Sequence, residues 1–317
     1  MLELKGSTLP CAVCGSTVGT HDIKCDAKTR QPLAIKHCHQ CGHIQLADRR
    51  DNESLEVYYS HHYRADYKQT YEPKTKHIYR AGRASINRLR FIIEHTGSGR
   101  SAQLIDIGAG GGEFVYLANR FGFQATGIEP NVGYSEFARI SYGVSVETTT
   151  VEKMSEGSAD VITLFHVLEH IAEPTQVAEQ LWRCLRTKGH LVIEVPNILE
   201  PGASPSNIYF EAHVHYFSRF TLEAALSPYF ELRAMHDDGN LIAVFERRDQ
   251  PLEGPILPTA QALQMIQKRL KTKGWLEYLT VGGGAFKFAR RLKTHAREQK
   301  ISGSPRHILD QLFNAAA

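Results

Sequence analysis

No stretch of this sequence approaches the ~20 consecutive apolar residues that cross a bilayer, and its first residues, MLELKGSTLPC, contain no apolar export segment. A membrane-spanning chain is thereby excluded and a cytoplasmic setting is expected. A strong excess of one charge is also missing: 37 Lys and Arg stand against 34 Asp and Glu, a formal net of +3. Internal repeats and low-complexity tracts are absent, and a hydrophobic content of 42% excludes disorder. Cysteine is sparse, with six residues, and disulfides are not expected in a reducing compartment. Four of the six fall in two Cys-x-x-Cys pairs, which points to a metal instead.

A length of 317 residues accommodates one core of about 150 to 200 residues with one or two smaller modules. Residues 1–46, rich in Cys, His and Gly, read as a zinc-binding module whose metal replaces a hydrophobic core. Residues 47–100 read as an aromatic and charged linker followed by a helical lid, with helical spacing in TKHIYRAGRASINRLRFIIEH. From 101 to 250 strands alternate with helices, which implies a parallel sheet covered on both faces. ELRAMHDD and GNLIAVFERR form a hairpin-like pair there, with turn residues Asp238, Gly239 and Asn240. The expected class is α/β, a Rossmann-like seven-stranded sheet with a reversed last strand. Residues 251–317 read as a helical basic tail broken at Val281-Gly282-Gly283-Gly284.

The stretch LIDIGAGGGE from Leu104 to Glu113 follows a strand and opens a helix. A glycine-rich loop there brings backbone close to a ligand at the helix N-terminus. A dinucleotide loop counted from Gly108 would need a third glycine at 113, where Glu113 would repel a pyrophosphate. Asp106 at the strand end offers an acceptor to an ammonium group, and Glu129 in GIEP offers one to ribose hydroxyls. S-adenosylmethionine has an amino-acid end, an adenosine and no phosphate, and it suits this loop. The expected cofactor-binding residues are Asp106, Gly108, Gly110, Gly112 and Glu129.

The segment from about 102 to 248 resembles a class I methyltransferase. LIDIGAGGGEF is similar to that family's first motif, GIEP to its second, ADVITLFHVLEH to its fourth, and LRTKGHLVIEVPN to its fifth with the following strand. The resemblance implies S-adenosylmethionine as cofactor. It also implies an adenine against Thr150, Val151 and Glu152, and it adds Val151 and His166 to the cofactor-binding set.

Cys11-x-x-Cys14-Gly15 and Cys38-x-x-Cys41-Gly42 form two knuckles, each closed by a glycine. Four thiolates in tetrahedral array suit Zn²⁺ and leave no open position, so zinc there is expected to be structural. His37, His39 and His43 are expected at the surface beside the knuckles. Cys25 and Cys184 fit no ligand spacing, and Cys184 is expected in the core. The arrangement resembles a bacterial group in which a four-cysteine zinc domain precedes a class I methyltransferase acting on deoxysugars carried by nucleotides. CAVCG, HCHQCGHIQL and NIYFEAHVHYFS carry the resemblance, which implies Tyr209, Glu211 and His213 near the acceptor, with Ala212 standing between the last two.

In open parallel sheets ligands lie beyond the carboxyl ends of the strands. His166, Glu169 and His170 follow the fourth strand, and residues 209–216 follow the fifth. Methyl transfer to a hydroxyl or acidic carbon needs a proton acceptor, for which a histidine is suited. His213 is the leading candidate and His215 the second, with His166, Glu211 and Tyr209 beside them, against the alternative of packing on Tyr216 and Phe217. His166-x-x-Glu169-His170 with His213 also has the residue types of a cation site and resembles metal-dependent O-methyltransferases with Glu in the first place. Such ligands suit Mn²⁺, Fe²⁺ or Zn²⁺ better than Mg²⁺, although the same string also serves only to shape the loop. Tyr58, Tyr59, His61, His62, Tyr63 and Tyr67 either lid the acceptor pocket or pack as linker.

Three functions follow. The first is methylation of a small molecule: a sugar, nucleotide-sugar or glycan end. The second is metal-assisted O-methylation of a larger acceptor, and the third a non-catalytic adaptor, which the intact Asp106, Gly108, Gly110 and Glu129 set disfavours. Basic residues outnumber acidic ones beyond 253, which suits a phosphate-rich acceptor or a solvated amphipathic helix. A nucleic acid partner is disfavoured by the near-neutral remainder and the lack of an RNA-binding motif.

Overall fold

The computed structural model describes residues 9–48, 73–99, 101–287 and 301–316, with positions 292, 294, 295, 298 and 299. The aromatic cluster from Tyr58 to Tyr67 lies outside the described residues.

In chain order the strands β1 (Gly19–Cys25), β2 (Pro32–Cys38) and β3 (Ile44–Leu46) come first. Helix α1 (Thr75–Thr96) buries Ile78, Ile86, Leu89 and Ile92, the apolar stripe of an amphipathic helix, and stops at Gly97 in the left-handed conformation. Alternation follows: β4 (Gln103–Ile107), α2 (Glu113–Arg120), β5 (Gln124–Ile128), α3 (Val132–Tyr142), β6 (Val146–Glu147), β7 (Ala159–Phe165), α4 (Pro174–Cys184) and β8 (Leu185–Pro196). After β9 (His215–Tyr216) and α5 (Arg219–Leu226) come the hairpin strands β10 (Phe230–His236) and β11 (Asn240–Arg247). Helices α6 (Ala260–Thr272), α7 (Trp275–Leu279) and α8 (Pro305–Ala316) complete the described chain. Among the described residues no helix is long and apolar enough to cross a membrane.

The large sheet has the order β10-β11-β8-β7-β4-β5-β6, and only β11 runs against its neighbours. This is the expected Rossmann-like sheet. Its central strands are near-continuous apolar runs because helices cover both faces: Val161, Ile162, Leu164, Leu191, Val192, Ile193 and Val195 are all fully buried. From β4 the chain proceeds outward to β5 and β6, then returns to place β7 on the other side of β4. That reversal opens a crevice at the carboxyl ends of β4 and β7, where ligands of such sheets bind.

The N-terminal segment departs from a module cored by metal alone. β1, β2 and β3 form an antiparallel sheet whose fourth strand is β9, contributed from the far side of the sequence. Ile35, Ile44 and Leu46 are buried with Ile198 and Tyr216, while the cysteines share a core cluster with Leu168, Val177 and Phe217. Neither basic-tail expectation describes its innermost cations. Arg269 donates to the Leu199 carbonyl (2.7 Å), Lys273 to that of Glu200 (2.5 Å) and Lys287 to that of Gly202 (2.6 Å), so these three brace the loop after β8.

Candidate active site

The loop after β4 is shaped by its glycines. Gly108 has φ +73°, and a Cβ on it would stand 2.5 Å from the Val167 side chain. The glycine loop and the segment after β7 are thus in contact at the crevice. Gly112 has φ +84°, and a Cβ there would meet Ala138 at 2.6 Å. Glu113 folds its carboxylate back against Gly111, where a Cβ would lie 2.9 Å from one oxygen. A negative charge therefore covers the helix mouth that a pyrophosphate would need.

Asp106 and Glu129 flank this loop, both almost fully buried. Glu129 accepts from the Gly110 amide (2.9 Å) and the Asn131 amide (3.0 Å), which ties the end of β5 to the loop. Asp106 accepts from the Thr163 hydroxyl at 2.7 Å. Burial raises its carboxyl to about 7, against the pull of Thr163 and Arg88. Val151 is buried in a short 3₁₀ turn, Val151–Lys153, and its carbonyl accepts from Gln180 at 2.7 Å.

The segment after β7 opens on His166, a non-glycine residue at φ +58°. Such strain persists where surrounding structure enforces it. Its amide donates to the Glu194 carbonyl (2.8 Å), while its ring lies between carboxylates, 3.2 Å from Glu194 and 3.3 Å from Glu169. Arg88 pairs with the other Glu194 oxygen at 2.6 Å. Burial favours the neutral ring, but the two carboxylates outweigh it and raise His166 to about 9. His166 is therefore an imidazolium at neutral pH, which corrects its place among the candidate proton acceptors.

Glu169 and His170 stand in the 3₁₀ turn Leu168–His170. His170 donates from Nδ1 to the Ala212 carbonyl at 2.7 Å, since a carbonyl only accepts. Through this bond the segment after β7 meets the loop after β8. The His213 ring lies 4.9 Å from that of His170, centroid to centroid, and 5.1 Å from that of Phe210. Burial and the neighbouring His170 lower His213 to about 4. It is unprotonated at neutral pH but a weaker proton acceptor than an ordinary histidine, which revises the expectation of a base tuned to pH 7.

The other candidates take different places. His215 is 1% exposed and closed off: Nε2 donates to the Ala172 carbonyl (3.1 Å), so Nδ1 accepts from His43 Nε2 (3.0 Å). His215 cannot reach an acceptor, and His43, expected at the surface, is fully buried. The local sequence around neither residue reveals that β3 and β9 pair side by side. Glu211 is exposed, and its amide donates to Asp26 at 2.6 Å. It is not brought into the cluster. Tyr209 packs on Tyr216 at 5.1 Å, and burial pushes its phenol up to about 12, so it is no base either.

Asp26 was not singled out in the sequence. It accepts from the amides of Lys28 (2.8 Å), Thr29 (2.6 Å) and Glu211, and from the Thr29 hydroxyl (3.0 Å). Burial opposes its charge, yet these donors hold it below the usual carboxylate range. An Asp followed three residues later by Thr signals a local turn. Its grip on residue 211 has no local signal.

Cys11, Cys14, Cys38 and Cys41 converge, with their sulfurs within 4.8 Å of one another, Cys11 to Cys41 at 3.6 Å and Cys14 to Cys38 at 3.5 Å. Thiolates around a tetrahedral zinc at ≈ 2.3 Å stand about 3.8 Å apart. Gly15 (φ +72°) and Gly42 (φ +73°) close the knuckles in the left-handed region. Hydrogen bonds among the sulfurs push the Cys11 and Cys41 thiols up while pulling Cys14 and Cys38 down. A dication would let all four ionise. Gln45 joins the knuckle to β3 by accepting from the Ala12 amide (2.9 Å) and donating to the Pro10 carbonyl (3.2 Å). Cys184 lies in the core as expected, and Cys25 is exposed.

Residues 76–229 match the family model described as a methyltransferase domain. A curated relative, ubiquinone biosynthesis O-methyltransferase of Yersinia pestis (strain Pestoides F), is 28% identical over 118 residues, 35% of this chain and 49% of the relative. The chain thus spans about half the length of the curated relatives it matches. Among solved structures, an S-adenosylmethionine-dependent methyltransferase from Archaeoglobus fulgidus aligns at 17% identity and TM-score 0.42, covering 52% of this chain and 94% of that one. The geranyl diphosphate C-methyltransferase of Streptomyces coelicolor A3(2) aligns at 16% identity and TM-score 0.42, covering 51% and 76%. Residues 76–229 of this chain, just under half of it, are thus similar to a methyltransferase domain and lie on the Rossmann-like sheet described above.

Proposed function

We propose that the chain transfers the methyl group of S-adenosylmethionine to a hydroxyl of a small acceptor: a sugar, a nucleotide-linked sugar or a glycan end. The observation that carries this reading is the meeting of the glycine loop with the His166–His170 segment through Gly108 and Val167, and of that segment with His213 through Ala212. Cofactor loop and titratable cluster share one sheet edge. The curated O-methyltransferase relatives favour oxygen over carbon or nitrogen as the acceptor atom.

When bound, the cofactor supplies an electrophilic methyl carbon on a sulfonium. The acceptor oxygen forms the new C–O bond, the C–S bond breaks with its pair left on sulfur, and the hydroxyl proton must leave. We assign the loss of that proton to the cluster of Glu169, His170 and His213 rather than to His213 alone, because His213 by itself is too weak a base. His166, held as a cation, orients Glu169. The four cysteines hold a structural Zn²⁺ that keeps residues 209–217 in place.

Incubation with methyl-labelled cofactor and a panel of nucleotide-sugars, sugars and glycans tests this reading. Label on an acceptor hydroxyl is the expected result, and label on carbon or nitrogen overturns the oxygen assignment.

A pH dependence follows from Asp106. Below about 7 its buried carboxyl is protonated and must lose that proton to pair with the cofactor's ammonium group. Affinity for S-adenosylmethionine is expected to rise with pH towards 7, by up to about tenfold per unit, and then level off. A Kd that does not change below neutrality removes Asp106 from the ammonium contact.

A further inference from the structure

Helix α7 (Trp275–Leu279) is five residues long and buries none of them. At about 3.6 residues per turn Trp275, Leu276 and Leu279 fall within an arc of about 100°, and all three are exposed, Leu276 at 79%. Val281 (75%) and Phe286 (73%) follow beyond the helix. Large apolar side chains normally reach a surface singly, and five of them in one short segment mark a place where something apolar binds.

The other side chains of the segment hold it down. Glu277 pairs with Arg269 of α6, the Tyr278 ring lies against Gly284, where a Cβ would stand 2.5 Å from it, and Lys287 donates to the Gly202 carbonyl at 2.6 Å. Gly282 lies so close to the Pro201 carbonyl that no Cβ fits between them. The segment is thus fastened to the loop after β8, and its apolar side chains are left outside. It stands apart from residues 76–229, which match the methyltransferase family model.

The charge around it has one sign. From residue 265 to residue 293 the sequence carries eight Lys and Arg and a single acid, Glu277, which Arg269 neutralises. Lys268 and Lys271, in the second half of α6, are exposed. A second copy of this chain would set like charges against like. A nucleic acid would suit the cations but offers little to leucine and valine side chains. An anionic lipid surface meets both needs, with hydrocarbon for the apolar side chains, phosphates for the cations and a headgroup level at which tryptophan is favoured.

We propose that the segment from Trp275 to Phe286 docks the chain reversibly on an anionic phospholipid surface. Trp275, Leu276, Leu279, Val281 and Phe286 enter between the headgroups, and Lys268 and Lys271 pair with lipid phosphates. The contact is interfacial, since no helix among the described residues is long and apolar enough to cross a membrane. Arg269, Lys273 and Lys287 tie this part of the chain to the loop after β8, so docking brings to the bilayer the loop that leads to His213. The docking itself does not depend on the methyl-transfer reading.

Vesicles of phosphatidylcholine, with and without phosphatidylglycerol, are the probe. Full-length chain as purified is expected to float with vesicles that contain phosphatidylglycerol, to ignore pure phosphatidylcholine, and to be released as salt is raised. Its tryptophan emission should shift to the blue on binding, and Trp275→Phe should abolish the shift. The other tryptophan, Trp182, already gives its ring NH to the Arg248 carbonyl at 2.7 Å. Leu276→Ser/Phe286→Ser and Lys268→Glu/Lys271→Glu should each bind at least about tenfold more weakly. Ile140→Ser, which removes an apolar side chain 84% exposed on α3, should bind as the parent does. No binding of the parent to phosphatidylglycerol vesicles, equal binding to pure phosphatidylcholine, or unchanged binding by either double variant overturns the proposal. So does a parent that sediments as a dimer without lipid and becomes a monomer as Leu276→Ser/Phe286→Ser, which gives the face to a second copy. Calorimetry with S-adenosylmethionine, run without vesicles, reports that the variants are folded. Its failure in the parent overturns the transferase reading and leaves the docking untouched.

Discussion

His213→Ala is expected to lower turnover by about 10² to 10⁴ while S-adenosylmethionine binds as before. The imidazole stands against His170 in the cluster proposed to take the acceptor's proton, and it lies on the loop after β8 rather than on the glycine loop. Both roles open to it, proton acceptor and metal ligand, predict the loss, and they separate on two readouts. As a base of low pKa, His213 would leave the rate flat from about pH 6 upward, because it is already unprotonated there. As a ligand it would make the parent enzyme sensitive to chelator and responsive to added Mn²⁺. Full turnover of His213→Ala across pH 6 to 9 removes it from the chemistry, and packing against Phe210 and His170 would be its only part.

Cys38→Ser/Cys41→Ser is the second large effect. Loss of two thiolates should release the zinc, one per chain in the parent by elemental analysis, and free the knuckle that precedes β3. β3 is the partner of β9, with Ile44 opposite Tyr216 and Gln45 opposite His215, and the Leu46 amide donates to the Val214 carbonyl at 2.9 Å. The loop that carries His213 is therefore expected to shift, and a displacement of about 1 Å at a reacting group costs on the order of 10²-fold in rate. Because the cysteines also share core with Leu168 and Phe217, a gentler variant separates displacement from unfolding. Asp26→Ala leaves the cysteines alone and frees the Glu211 amide, and it should reduce turnover with zinc content unchanged. Full activity in a zinc-free double variant contradicts the bracing role.

The parts of the molecule that local sequence dictates were legible without the structure. The Leu104–Glu113 loop announces a strand, a tight glycine turn and a helix within ten residues, and the hairpin at Gly239 announces itself by its turn residues. The four-cysteine cluster was legible because spacing alone brings each pair together. Relations between distant segments were not. Nothing near His215 shows that it lies beside His43, 172 residues earlier, nor does anything near Asp26 show that it holds residue 211. Protonation was hidden for the same reason. His166 and His213 look alike in sequence, but Glu169 together with Glu194, on the next strand, keeps one charged while burial keeps the other neutral.

Calorimetric titration of S-adenosylmethionine into the parent chain and into Glu129→Ala tests the central claim most directly, since Glu129 closes the glycine loop through the Gly110 amide and is the residue proposed to accept from the ribose hydroxyls. The parent should bind one cofactor per chain, and the variant should bind it about 1.5 to 3 kcal/mol more weakly, the loss of one or more charge-assisted hydrogen bonds. A parent that takes up no S-adenosylmethionine, or a folded Glu129→Ala chain that binds it as tightly as the parent does, would contradict the account.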